Sequence, residues 1–123
     1  MTVTAYTLAV VLNVFCLFLG YRFLFQPAAA AAGYGVPADP AGDAGAYLTI
    51  KGLRDGTFGV VGLAVLAFAG ATAEAWFMLA VALVPLGDTL IVLRHGGARA
   101  VAFGIHFATA VVVLISAALL FAV

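Results

Sequence analysis

At 123 residues, 67% of them hydrophobic and only 8% charged, with a mean hydropathy of +1.26, the chain is far more apolar than a soluble domain, in which about 25% of residues are charged. A bilayer supplies the missing apolar solvent. Each spanning helix needs about 20 mainly apolar residues, so four nearly exhaust the length and leave no room for a soluble catalytic module. Five Lys and Arg balance five Asp and Glu, and no clustered basic surface points to a nucleic-acid partner.

The expected fold is an all-α membrane protein, a single four-transmembrane-helix bundle, with spans at about 3–25, 47–70, 75–94 and 99–123. The first span carries the lone cysteine, Cys16. It excludes an internal disulfide and a Cys-x-x-Cys motif, and reads as a small packing residue. A cleaved signal peptide is the competing reading of this run, but no Lys or Arg precedes it and it exceeds the usual apolar length. Tyr6, Asn13 and Gly20 share one helix face, with Asn13 suited to an interhelical hydrogen bond. Arg22, near the span's end, is explained by snorkelling to the headgroups.

Residues 26–46 form a loop punctuated by Pro27, Pro37 and Pro40 and four glycines. Its alanine run is a candidate short interfacial helix, and the loop could cover a site. The second span opens with Lys51, Gly52, Leu53, Arg54 and Asp55. Charges inside a span are costly enough to suggest a function. Lys51, Asp55, Phe58 and Gly62 fall on one face at about 100° per residue. Gly52, Gly56 and Gly59 make an adjacent stripe that lets two helices approach closely.

Glu74 precedes the third span and Trp76 fits an interfacial aromatic. Pro85 removes a backbone hydrogen bond, and Asp88 lies three residues on. Asp88 either opens a polar cavity beside the kink or pairs with a basic residue of span two. The hairpin at 94–99 turns the chain into the fourth span, whose only ionisable residue is His106. No second His or Cys lies at i+3 or i+4, so no metal site is expected.

Threaded up and down, the spans bring the loop and the hairpin to one side of the membrane. With a rise of about 1.5 Å per residue, Arg22, Lys51, Asp55, Asp88 and His106 then lie within about 10–12 Å of that surface. Mutual pairing is nearly obligatory for such charges, so Lys51 and Arg54 are expected to face Asp55 and Asp88, with His106 closing the cluster. All five Lys and Arg lie on this side. The positive-inside rule makes loop 26–46 and hairpin 94–99 cytoplasmic and puts both termini outside, in a multi-pass cell (inner) membrane protein.

The assembled pattern is Pro27 with Gly33-Tyr34-Gly35-Val36-Pro37, then Lys51-Gly52-Leu53-Arg54-Asp55, then Pro85, Asp88, Arg94 and Gly96, then His106. It resembles the small four-helix bacterial and fungal membrane proteins grouped as a domain of unknown function, and is distantly similar in plan to the DoxX-like four-helix group. The resemblance covers nearly the whole chain. It implies the fold and a shared polar set of Lys51, Arg54, Asp55, Asp88 and His106, and no established reaction. Small multidrug exporters fit less well, since Asn13 stands where an essential Glu would be. Quinone-linked thiol oxidases require paired cysteines.

Three functions follow. One is a binding or acid–base site for a small amphipathic molecule, with Asp88 or Asp55 as acid or base, His106 as proton shuttle, and Lys51, Arg54 and Asn13 holding the ligand. As an enzyme it would be an isomerase, a cyclase or an epoxide-opening catalyst needing no cofactor. The second is a proton- or ion-coupled transporter or channel with Asp88 as the coupling acid. Its weakness is that the polar residues stop halfway across, a gap a homo-oligomer could fill. The third is a structural or assembly protein whose charges fix helix register. The partners expected are the bilayer, a small amphipathic ligand and, where a path needs it, a second copy.

Overall fold

A computed structural model describes residues 1–123, and every element in it is helical. The helices are α1 (Thr2–Phe25), α2 (Pro27–Tyr34), α3 (Ala44–Phe68), α4 (Ala71–Arg94) and α5 (Arg99–Phe121). Three of them, α1, α4 and α5, are long and apolar enough to cross a membrane. Helix α3 is as long, at 25 residues, but Lys51, Arg54 and Asp55 interrupt its apolar run.

The chain's own chemistry sets the breaks. Pro27 fits the first turn of α2, where its missing N–H costs nothing, and Gly35 ends that helix in the left-handed conformation at φ 99°. Helix α3 ends with the amides of Ala69 and Gly70 both donating to the Val65 carbonyl, at 2.8 and 3.0 Å. Helix α4 breaks at Ala82 into two segments, Ala71–Val81 and Leu83–Arg94, because Pro85 has no N–H to return to the carbonyl of Val81. Helix α5 passes through a π-helical turn at Ala102–Phe107 before resuming as α-helix.

Helices α1 and α3 pack most closely. A Cβ on Gly20 would stand 2.7 Å from the Gly56 nitrogen, and one on Gly59 would stand 2.5 Å from the Asn13 carbonyl oxygen. The glycine stripe expected to permit close approach does so against α1. At the other end, Ala5 and Ala9 join Leu66, Ala75, Met78, Ala117 and Leu120 in one buried cluster. Small residues fill the interior while large apolar side chains such as Phe68, Val3 and Leu83 point outward, an arrangement compatible with a lipid surrounding.

Two expectations need correction. Helix α4 begins at Ala71, about one turn before the expected start, so Glu74 lies inside the bundle rather than ahead of it: it is 0% exposed. The alanine helix in loop 26–46 exists, but it does not simply lie at the interface. Ala30 and Ala31 are buried against Phe23, and Tyr34 at its end packs among the long helices.

Candidate functional site

A cavity of about 310 Å³ lies among all four long helices and is closed at one end by α2. Its walls are mostly apolar: Leu12, Phe15, Phe58, Phe77, Met78 and Val113 among others. The polar side chains that reach it are Asn13, Cys16 and Arg22 from α1, Tyr34 from α2, Asp55 from α3, Asp88 from α4, and His106 and Thr109 from α5.

Tyr34 is the centre of the polar end. Its hydroxyl donates to the Asp88 carboxylate. Its backbone carbonyl lies 2.6 Å from Nε2 of His106. A carbonyl can only accept, so Nε2 carries the proton and Nδ1 of a neutral ring is left as an acceptor. The two rings lie 4.2 Å apart. The Lys51 ammonium sits 4.2 Å from the Tyr34 ring centroid and 4.8 Å from that of Phe23, within cation–π range. Burial, and then the charge of Asp88, push the Tyr34 phenol up, which keeps it protonated and donating.

Lys51 also binds Asp55 at 2.8 Å, one turn along the same helix. This is the only ion pair in the protein. The expected partnership of Lys51 and Asp55 therefore forms, whereas Asp88 takes a tyrosine rather than a cation. Arg54 is exposed and outside the cavity, because it lies about 100° around the helix from Asp55. His106 is buried at 3% exposure, and the π turn that carries it is a feature found frequently at functional sites.

Asn13 lines the cavity and donates through Nδ2 to Oε1 of Glu74 at 2.8 Å. Gly62 makes room for this amide, since a Cβ there would fall on the Asn13 side chain. The second Glu74 oxygen is buried with no partner. Arg22 also does more than reach for headgroups: it lines the cavity, and its Nε is buried with no partner. No group of three or more His, Cys, Asp or Glu is arranged to hold a metal ion.

Sequence reasoning missed Tyr34 as a site residue and Glu74 as the buried partner of Asn13. Tyr34 carries the only side-chain hydrogen-bonding group between Pro27 and Val36, which was the available signal. For Glu74 the signal was Asn13, since a polar amide in mid-span needs a partner.

The structure is thus an all-helical protein with membrane-compatible helices around a partly polar cavity. The chain belongs to the family described as a domain of unknown function, DUF4267, whose model matches residues 13–120. No curated protein and no solved structure matches it.

Proposed function

We propose that the chain is a four-helix membrane bundle, with α3 as the fourth span, and that its cavity binds a small amphipathic molecule and offers it acid–base chemistry. One observation carries this reading: Tyr34, Asp88 and His106 converge from three separate elements on the polar end of an otherwise apolar cavity. Pockets of about 300–1,000 Å³ with a few convergent polar groups are the usual form of small-molecule sites. Asp88 and Asp55 are the proton-accepting groups, His106 the shuttle through its free Nδ1, and Lys51 the cation paired with Asp55. Arg54 serves as a headgroup anchor, and Asn13 shapes the cavity floor. The clustering of the five Lys and Arg supports an orientation with loop 26–46 and hairpin 94–99 on the cytoplasmic side of a cell membrane.

Native mass spectrometry and lipid analysis of the purified protein provide the test. Wild type is expected to retain a distinct small molecule that Asp88→Asn loses. Identical bulk phospholipid on two equally folded proteins would sink the binding reading.

A second reading, proton-coupled transport, gains from the Asn13–Glu74 pair. That pair carries polar groups beyond the layer where they were expected to stop. It requires pH-driven proton flux in reconstituted vesicles that Glu74→Gln abolishes, and flux equal to that of empty vesicles would end it.

A further inference from the structure

The cavity shares part of its side wall with a second space. A second, more open groove of about 310 Å³ runs along the outside of the seam between α1 and α5. Leu12, Phe15, Ile105 and Thr109 border both spaces, so these side chains stand between the cavity and the outer face. The groove continues over Gly104, where a Cβ would meet nothing within 4 Å.

Its origin lies in the backbone. Helix α1 is drawn onto α3 by the glycine stripe, and it shares a core with α5 only at the far end, where Ala5, Ala9, Ala117 and Leu120 belong to one cluster. Towards the π turn the seam opens. There His106 faces inward at 3% exposure while Ile105, its neighbour, is 46% exposed.

We propose that this seam is a lateral portal from the bilayer, and that the ligand is a single-chain amphiphile with a neutral hydroxyl head. The head lies against Asp88 and His106, and the chain leaves between Phe15 and Ile105 along the groove. This rests on the binding reading above and adds the route and the class of ligand. The neutral head follows from charge. Counted formally, Arg22 and the Lys51 paired with Asp55 offset the two carboxylates Asp55 and Asp88 that line the cavity, so a charged head would bring an uncompensated charge into a low-dielectric site. A hydroxyl both donates and accepts. Its O–H suits the acceptors at the polar end, the Asp88 carboxylate and Nδ1 of the neutral His106 ring. An apolar tail in the groove stays in contact with lipid and needs no room inside the bundle.

The experiment is photolabelling in lipid nanodiscs with a dodecanol carrying a diazirine at the tail end, followed by peptide mapping. Saturable labelling is expected at residues 12–15 and 104–112, competed by unlabelled dodecanol. Asp88→Asn should weaken it about tenfold, the loss of one hydrogen bond to a charged group. Gly104→Trp, which fills the groove, should abolish labelling at these positions, and Gly104→Ala, which meets open space, should leave it intact. Saturable labelling confined to α2 and the 35–43 loop would overturn the portal and leave the cavity reading standing. Dodecylamine or laurate competing better than dodecanol would overturn the neutral head. Unsaturable labelling spread over the lipid-facing surface would end both the portal and the binding reading.

Discussion

Tyr34 joins three elements through different atoms. Its hydroxyl holds Asp88, its carbonyl holds His106, and its ring receives Lys51. None of these contacts follows from helical periodicity, because Tyr34 sits in a short helix whose direction relative to the spans is set by a loop. Lys51 and Asp55 are different. Separated by one turn on the same helix, their pairing could be read directly from spacing. The Asn13–Glu74 pair shows how a polar residue in a span finds its partner across the bundle. Removing the amide strands a buried carboxyl group, at a cost of about 1–3 kcal/mol. Asn13→Ala should therefore lower unfolding stability in detergent by about that amount. The double variant Asn13→Ala/Glu74→Leu should recover most of it, since removing both polar partners can be nearly neutral. A double variant as unstable as the sum of its parts would show that the two side chains are not coupled.

At the scale of the element, the four long helices and their turns could be anticipated from apolar length and from Pro and Gly positions, whereas their rotation could not. A soluble helix announces its buried face by apolar against polar residues. Here both faces are apolar, and what distinguishes the interior is size: Ala5, Ala9, Gly20, Ala75 and Ala117 are buried while Val3, Phe68 and Leu83 are exposed. The face of α3 was legible because it carries charges and a glycine stripe. Arg54 on its flank was misplaced in the cluster because charge alone does not tell a residue facing the cavity from one reaching outward. The start of α4 was also obscured. Ala71, Thr72 and Ala73 carry no strong signal, and moving the start by about one turn takes Glu74 from the surface into the interior. The π turn in α5 has no local marker such as proline; on it His106 faces inward while its neighbour Ile105 stays exposed.

At the scale of the whole molecule, the bundle's topology depends on whether α3 crosses the membrane. Its three ionisable residues count against it by composition alone. In the bundle their cost is reduced in three ways: Asp55 is paired with Lys51, the Lys51 ammonium lies over two aromatic rings, and Arg54 sits near enough to the helix start to snorkel. Close approaches of Gly20 to Gly56 and of Asn13 to Gly59 and Gly62, with Leu66 packed in one cluster with Ala5 and Ala9, run α3 alongside α1, and α1 is itself long and apolar enough to span. An α3 lying on the surface would break those contacts. In a Cys16→Ala background, single cysteines introduced as Asp39→Cys, before α3, and Thr72→Cys, after it, should accordingly react with a membrane-impermeant maleimide from opposite sides of the membrane, the first from the cytoplasm. Labelling of both from the same side would refute the four-span arrangement. Opposite labelling with Asp39→Cys outside would keep the bundle and reverse its orientation, which would put the loop and the five basic residues on the external face.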